Sequence, residues 1–339
     1  MSKPTSLVQL KGMPTNLIDT SKMSRSEWLT LRKGIIGASD VSAVLGISPW
    51  SSPWKLWLEK RSAVVEEKDS EVLRWGKYLE HAIVPRFMDD TGLKVIAEQC
   101  LAIHPENARA GATLDGLVTD DEAVLGPLEI KTGYLSKWEE QIPLHYQAQG
   151  QWQLYVSDQE VTHFAVFEDR FSPLYIVELK RDQSDIDFML EEVEAFLQLV
   201  DSGTPPKADG SEATVNAMKS YWNKSVEKKR VDISHLSDTV VEFRKTKATI
   251  KELNDLLKEQ EKKETGYKAK IIEAIQDAEI ACIGDEDVFT FKSSDTTRSK
   301  KASEILQMYP RAGRKLVTTT PTRTLRDCAS KIKRINHEY

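Results

Sequence analysis

Residues 128–134 read Leu-Glu-Ile-Lys-Thr-Gly-Tyr, a short apolar stretch that carries two opposite charges. Side chains two positions apart in a β-strand point to the same face. Glu129 and Lys131 therefore share one face of the predicted strand, and Ile130 lies on the other. Burying a charge is costly unless the charge is paired or binds a metal. The pattern fits either a salt-bridged edge strand or part of an active site.

A second acidic residue stands shortly before this strand. Asp115 lies in ATLDGLV, 14 residues before Glu129. An Asp at the end of one strand and Glu-x-Lys on the next bring two carboxylates and an ammonium together. This set suits metal-assisted phosphodiester hydrolysis, because Mg²⁺ prefers oxygen ligands and Lys131 would orient or deprotonate the attacking water. The alternative is a hairpin with a cross-strand ion pair, which contributes roughly 0.2–1 kcal/mol.

Two helical segments offer further polar groups. Glu80 lies in RWGKYLEHAIVPRF, at the margin of an apolar stripe that begins at Trp75 and that we expect to face the core. It is either a third carboxylate ligand or an exposed helix residue. In HYQAQGQWQLYV, one helical face carries Tyr146, Gln149 and Gln153. Long amides suit phosphate oxygens or a water molecule.

The segment RKGIIGASDVSAVLG predicts an anion site. It combines Arg32, glycines, Ser39 and the start of a predicted helix. Free backbone N–H groups, a hydroxyl and a guanidinium together bind phosphate well. The alternative is that Ser39 serves only as the N-cap of an ordinary helix.

The order of the elements predicts an α/β fold. Helical patterns fill the first part of the domain, and Ser24 with Glu27 matches a capping box. Strand patterns follow from LKVIAEQ to PLYIVELKRD, with ARAGATLDGLVTD read as one strand and PLHYQAQGQWQLYVSD as an inserted helix. A last helix, QSDIDFMLEEVEAFLQLVDSG, closes the domain. We therefore predict a central mixed sheet flanked by helices.

A change of composition marks a domain boundary near DSGTPPKADG, because Pro205 and Pro206 cannot continue a helix. The predicted organisation is a lead-in at 1–19, a domain at 20–206 and an accessory region at 207–339.

The accessory region divides into three predicted pieces. A heptad pattern over about 239–279 predicts one long helix or a helical hairpin, although Gln260 and Glu264 weaken its apolar seam. A small β piece follows at about 280–293, and residues 296–339 form a basic tail with 11 Lys and Arg against 3 Asp and Glu.

Charge is distributed unevenly along the 339 residues, whose net charge is −6. Residues 1–206 hold 20 Lys and Arg against 32 Asp and Glu, whereas the remainder holds 27 against 21. Such asymmetry indicates either a nucleic-acid contact or a solvated surface. Three well-separated cysteines fit a reducing cytosol, and the sequence predicts neither a signal peptide nor a membrane span.

Five of these segments, in this order, resemble the YqaJ-like viral recombinase family, the phage lambda exonuclease type of PD-(D/E)xK nucleases. The matching stretches are RKGIIGASDVSAVLG, WGKYLE, ATLDGLV, LEIKT and YQAQGQ, within about residues 24–200. The resemblance implies a restriction-endonuclease-like PD-(D/E)xK core, with 207–339 lying outside the match. Trp50, Trp54 and Trp57 are then either a core cluster or a wedge near a DNA end.

The resemblance also implies roles by position. Asp115 and Glu129 are implied as metal ligands, with the Ile130 carbonyl and Glu80 assisting. Lys131 is implied to activate water. The implied catalytic set is Asp115, Glu129, Lys131, Glu80 and Gln149. The implied 5′-phosphate pocket is Arg32, Ser39, Thr113, Tyr146 and Gln149.

The family is described as Mg²⁺-dependent exonucleases of phage-type homologous recombination and double-strand break processing. By resemblance, we expect digestion of double-stranded DNA 5′→3′, two Mg²⁺ ions that Mn²⁺ can replace, and a single-strand annealing protein as partner. A ring trimer and the cytoplasm of a bacterial host, with a phage or prophage gene, are expected on the same ground. The alternatives are an end-independent endonuclease of the same fold and a non-catalytic DNA-binding adaptor.

Overall fold

The computed structural model of the chain describes residues 10–20, 23–62, 71–133, 138, 141–299 and 317–327. The chain divides into two compact units, Met1–Lys228 and Lys229–Tyr339. The part of the predicted lead-in that is described, residues 10–19, includes a short strand.

The first unit contains seven helices and eight strands among its described residues. The helices are α1 (Arg25–Gly34), α2 (Ala38–Val44), α3 (Pro53–Arg61), α4 (Glu71–Thr91), α5 (Leu144–Ser157), α6 (Gln183–Ser202) and α7 (Glu212–Tyr221). The strands are β1 (Leu17–Asp19), β2 (Lys94–Ile96), β3 (Cys100–Ile103), β4 (Gly111–Leu114), β5 (Gly116–Thr119), β6 (Val124–Thr132), β7 (Val161–Phe167) and β8 (Tyr175–Lys180).

A five-stranded mixed sheet forms the centre of this unit, in the order β2-β5-β6-β7-β8. Strands β6 and β7 are parallel, and the other neighbours are antiparallel. Parallel neighbours need a crossover connection, which α5 provides. The predicted fold class, a mixed sheet flanked by helices, is confirmed. Strand β6 lies inside the sheet, so Glu129 and Lys131 do not lie on an edge strand.

The stretch that we predicted as one strand, ARAGATLDGLVTD, is divided at Asp115. Leu114 pairs with Cys100 in a three-stranded sheet of order β1-β3-β4, whereas Gly116 pairs with Leu128 in the five-stranded sheet. The prediction of a single strand is therefore wrong. Asp115 stands at the junction of the two sheets because the chain changes sheets there.

Helix starts follow local capping chemistry. The capping box at Ser24 and Glu27 is confirmed. At α2, Gly37 is the N-cap residue and its N–H donates to Asp40 Oδ2 at 3.0 Å. Ser39 lies within the first turn of α2, so the alternative of an N-cap role for Ser39 is wrong. The Asp40 carboxylate fulfils the capping function from inside the helix.

Three apolar clusters pack on the sheets, and the largest includes Trp54 and Trp57. Trp75, which we predicted to face the core, is 62% exposed. Helix α4 buries Ile83 and Phe87 of its second half against the sheet, and this burial does not extend back to Trp75. The prediction that Trp75 faces the core is therefore wrong.

The first unit extends beyond the boundary predicted at 206, because α7 packs against α3. Thr214 Oγ1 donates to Ser52 Oγ at 2.8 Å in a buried contact. The Tyr221 ring lies 5.5 Å from the Trp54 ring, centre to centre. The change of composition near 201–210 thus marks a linker between two helices of one unit.

The second unit begins with a short 3₁₀ turn (Ser234–Leu236) and the long helix α8 (Ser237–Ile275). Of the two alternatives for the heptad pattern, the single helix is correct. The strands β9 (Ile280–Ile283), β10 (Glu286–Ser299) and β11 (Val317–Asp327) form an antiparallel sheet in the order β11-β10-β9.

Part of the predicted basic tail is folded. Residues Thr296 to Ser299 of β10 pair with Val317 to Thr320 of β11. A tail that starts at 296 is therefore wrong, because β10 continues to Ser299 and pairs there with β11. The other parts of the predicted tail, 300–316 and 328–339, lie outside the described residues. None of the described helices is long and apolar enough to cross a membrane.

Candidate active site

Glu129 is the hub of a buried polar network on β6. Its side chain is 94% buried, and its two carboxylate oxygens accept hydrogen bonds from three side chains. Gln149 Nε2 donates to Oε1 at 2.7 Å, Lys131 Nζ donates to the same oxygen, and Gln153 Nε2 donates to Oε2. The carboxylate is thus held rigidly inside the domain.

Helix α5 carries both glutamines toward Glu129. Gln149 and Gln153 are four residues apart and so lie on one helical face. Gly150 lets this face approach the sheet, because a Cβ there would lie 2.6 Å from Leu179 Cδ2. Gln151 points elsewhere and donates to the Lys180 carbonyl at 2.7 Å. The shared face that the sequence predicted for Gln149 and Gln153 is confirmed.

Asp115 faces Glu129 from the junction of the sheets. The Ile130 backbone N–H donates to Asp115 Oδ2 at 2.8 Å. Burial and the negative charge of Glu129 raise the pKa of Asp115 well above its usual value of 3.8, against the smaller opposing effects of the Ile130 hydrogen bond and of Lys131. Two carboxylates in one buried place repel each other, and a cation between them would relieve that repulsion.

Lys131 lies between acidic and aromatic groups. Nζ donates to Gln149 Oε1 at 3.1 Å and lies 4.6 Å from the centre of the Tyr146 ring. Burial lowers the pKa of Lys131, but the charge and hydrogen bond of Glu129, together with Asp115, raise it overall. Lys131 therefore carries an ammonium group at neutral pH in this arrangement.

A second polar cluster surrounds Asp40. Lys60 Nζ lies 2.7 Å from Asp40 Oδ2, and Arg32 Nη2 lies 3.5 Å from Oδ1 and 3.4 Å from Ser39 Oγ. Burial raises the pKa of Asp40, but Lys60 and Arg32 lower it overall. The Arg32 side chain is 45% exposed and lies over the Trp28 ring, so its outer N–H groups can meet a ligand.

One cleft of about 340 Å³ connects the two clusters. Its lining contains seven of the residues that the sequence singled out. They are Arg32, Ser39, Glu80, Thr113, Asp115, Glu129 and Gln149. Lys131, Ile130 and Tyr146 join the site through the contacts given above. Glu80 accepts a hydrogen bond from Gln99 Nε2 at 3.3 Å. The roles of these residues remain predictions, but the structure brings them together.

A group of aromatic rings lies between Lys131 and the protein surface. Tyr146 stacks on Trp138 with ring centres 5.1 Å apart, and Trp50 lies 6.2 Å from Tyr146 and 5.0 Å from His145. Trp50 is 62% exposed. Trp54 and Trp57 lie in the core, as the first of the two alternatives predicted. Trp50 instead lies beside the site.

Four residues of the site were missed as site residues by the sequence analysis. Gln153 stood on the predicted face of α5 but received no role. Asp40 follows Ser39 directly, so an acidic residue in the first turn of a helix was a usable signal. Trp28 and Lys60 gave no signal in the sequence, because only the folded chain brings α1 and α3 next to α2.

The donor set fits a hard divalent cation. Among the described residues, no three His, Cys, Asp or Glu side chains lie close enough together to hold a metal ion by themselves. Asp115 and Glu129 nevertheless supply two neighbouring carboxylates. Mg²⁺ commonly binds proteins through one or two carboxylates, with waters and substrate oxygens completing its shell. The amide oxygen of Gln153 is buried without a hydrogen-bond partner among the described residues.

Comparisons with known proteins establish the family. A family model described as the YqaJ-like viral recombinase domain matches residues 27–160. The uncharacterized protein YqaJ of Bacillus subtilis strain 168 is 31% identical over 274 residues, which cover 79% of this chain and 83% of that protein. The chain belongs to the YqaJ-like viral recombinase family. This family model spans both clusters of the cleft, from α1 to the end of α5.

Solved structures also resemble this YqaJ-like chain. An alkaline exonuclease from Laribacter hongkongensis is 26% identical and matches 53% of this chain and 94% of its own, with a TM-score of 0.45. A phage-related exonuclease from Haemophilus somnus 129PT is 14% identical and matches 52% of this chain and 97% of its own, with a TM-score of 0.40.

Proposed function

We propose that this YqaJ-like protein is a Mg²⁺-dependent deoxyribonuclease that digests double-stranded DNA from its 5′ ends and leaves 3′ single strands. The observation that carries the proposal is the cleft itself. It joins a paired-carboxylate site to an arginine and serine pocket within one cavity. A phosphodiester near a DNA end presents the two groups that such a cleft fits, a terminal phosphate and a scissile phosphate.

The carboxylate site supports hydrolysis. Asp115, Glu129 and the Ile130 carbonyl would hold Mg²⁺, and Glu80, which lines the same cleft, would assist a second ion. When bound, Mg²⁺ stabilises negative charge on the phosphate and on the leaving oxygen. The ammonium of Lys131 would orient the attacking water and offset charge on the phosphate. Gln149 fixes that ammonium through its 3.1 Å contact.

The second cluster supports recognition of a 5′-phosphate. Arg32 has a half-exposed guanidinium beside the Ser39 hydroxyl, and both line the cleft. Arginine binds phosphate through charge-assisted hydrogen bonds. Asp40 holds the Arg32 guanidinium from the buried side, and Lys60 pairs with the other oxygen of Asp40. Binding of a terminal phosphate here would set the distance to the bond that is cut.

The product of the proposed digestion indicates how this protein would act in recombination. A nuclease that removes the 5′-ended strand leaves a 3′ overhang, which a phage single-strand annealing protein would take up. Membership of a viral recombinase family supports this role. We propose the same cellular setting, the cytoplasm of a bacterial host. The expected ring trimer belongs to this proposal as well.

Linear duplexes labelled at either the 5′ or the 3′ end test the proposal. With Mg²⁺, the 5′ label should be released before the 3′ label of the same strand. A chelator should stop the release. A closed circular duplex should resist digestion. Cleavage of the circle would favour an end-independent endonuclease. DNA binding without cleavage, equal in Mg²⁺ and in chelator, would favour a non-catalytic adaptor and contradict the proposal.

A further inference from the structure

Helix α8 carries an uncovered apolar face. It runs over 39 residues, and every residue from Val241 to Lys270 is exposed to solvent. Five of its large apolar side chains lie at heptad spacing, namely Phe243, Ile250, Leu253, Leu257 and Tyr267, and Leu256 lies at the edge of the same face. Each of these six is 52–62% exposed.

An exposed apolar stripe of this length is unusual on a helix that works alone. A solitary helix is normally polar all round and is held by ion pairs along its surface. Contiguous exposed apolar surface marks a place where another molecule binds. On α8, the groove lined by Leu257, Gln260, Glu264 and Tyr267 follows this stripe. The stripe spans about 36 Å from Phe243 to Tyr267, at 1.5 Å per residue.

We propose that α8 binds α8 of a second copy of this chain as an antiparallel two-stranded coiled coil centred near Asp255. In this register, Leu253 of one copy packs against Leu257 of the other, and Leu256 meets its own symmetry mate. Phe243 of one copy packs against Tyr267 of the other. Leucines thus fill the middle of the interface, and aromatic rings close both ends.

The charges that flank the stripe select the antiparallel arrangement. Lys247 of one copy faces Glu261 of the other, and Glu242 faces Lys270. Each pair occurs twice because the dimer is symmetric, and no two like charges face each other at these flanking positions. The two polar residues that weaken the seam, Glu264 and Gln260, lie opposite Thr246 and Ile250 of the other copy.

A parallel dimer in register is less favourable. It would place Glu264 against Glu264 of the other copy inside the seam. It would also place Lys263 beside Lys268 of the other copy at the flank. Like charges at such positions destabilise a coiled coil and oppose that pairing. Glu264, which weakens the heptad pattern, and the flanking Lys263 therefore favour the antiparallel direction.

The mass of the full chain in solution tests the interface. Sedimentation equilibrium should show that Leu253→Lys halves the mass of the wild-type assembly, whereas the matched control Lys262→Glu, on the opposite face, leaves it unchanged. Circular dichroism should show that α8 remains helical in both variants, since Lys favours helix. A wild-type monomer, or an assembly whose mass Leu253→Lys does not change, would overturn the proposal.

A charge-reversal cycle tests the direction. Lys247→Glu and Glu261→Lys should each weaken dimerisation by roughly fivefold, and the double variant should restore it. Asp255→Lys, on the outer face, is the matched control for Glu261→Lys. In a parallel dimer Lys247 faces Glu242, so the double variant would stay weak. A double variant that dimerises as weakly as the single variants would contradict the antiparallel dimer. A monomeric chain whose α8 binds a different protein would contradict it as well.

Discussion

Gln149 Nε2 lies 2.7 Å from Glu129 Oε1, while Gln149 Oε1 accepts a hydrogen bond from Lys131. One amide thus holds a carboxylate with its donor end and an ammonium with its acceptor end. An amide is suited to this because it offers a donor and an acceptor on one planar group. Neither a carboxylate nor an amine could make both contacts.

This relationship predicts that Gln149→Ala lowers the rate of cleavage by about 100-fold, which is typical for the loss of one preorganised hydrogen bond at a reacting centre. Binding of DNA should change little, because Arg32 and Ser39 remain. Single-turnover digestion of a linear duplex measures the rate. Gln147→Ala is the matched control, since Gln147 donates to the Ile142 carbonyl, away from the site. Equal loss in both variants would remove Gln149 from the mechanism.

Arg32→Ala should slow digestion of 5′-phosphorylated duplexes by roughly 10- to 100-fold, as expected for a lost hydrogen bond to a charged group. Duplexes with a 5′-hydroxyl should be slowed much less. The ratio of the two rates is the measurement, and Arg86→Ala, at an exposed ion pair with Asp90, is the control. Equal slowing on both substrates would contradict a 5′-phosphate pocket.

Asp40→Asn should destabilise the protein by about 3 kcal/mol, because Lys60 and Arg32 lose a buried partner. The folded pKa of Asp40 lies below its usual 3.8, so its contribution is complete above that value and is lost as the pH falls through the lowered pKa. Urea unfolding of wild type and variant should therefore differ most near neutral pH and converge in acid. Asp90→Asn should change stability by less than about 1 kcal/mol.

Asp115→Asn should stabilise the metal-free protein at alkaline pH. The folded pKa of Asp115 is raised, so the wild-type chain loses stability as the pH rises from the usual 3.8 through that raised value. Asn keeps an oxygen for the Ile130 N–H without the charge. Thermal unfolding in chelator should show the variant melting higher at pH 8 than wild type and equally at low pH.

Added Mg²⁺ or Mn²⁺ should make the wild-type protein melt at a higher temperature than Asp115→Asn at pH 8. A cation that binds only the folded state raises the melting temperature of the wild-type protein, and the variant lacks a ligand for it. A wild-type protein that is more stable than Asp115→Asn in chelator at pH 8, or that does not respond to metal, would contradict the paired-carboxylate site.

Part of this architecture is readable from sequence because local patterns determine it. The two-residue period places Glu129 and Lys131 on one face, and the helical period places Gln149 and Gln153 on one face. These relations do not depend on how distant segments pack. The resemblance to a known family added the grouping of these segments into one site.

Other features depended on packing that no local pattern encodes. The change of sheet at Asp115 depends on pairing with β3 on one side and β6 on the other. Lys60 reaches Asp40 across 20 positions of sequence, and Trp75 lies outside the buried part of α4 although its helical phase is apolar. The linker near 201–210 had the composition of a domain boundary, but α7 returns to pack on α3.

The most direct test of the proposed chemistry is the hydrolysis rate of Lys131→Ala at saturating 5′-phosphorylated duplex with Mg²⁺, measured beside wild type and the surface control Lys94→Ala. Lys131 is the one cation within hydrogen-bond reach of Glu129 among the described residues. We predict that cleavage by Lys131→Ala falls below detection while DNA binding and Lys94→Ala activity stay near wild type. Cleavage by Lys131→Ala at the wild-type rate would contradict the account.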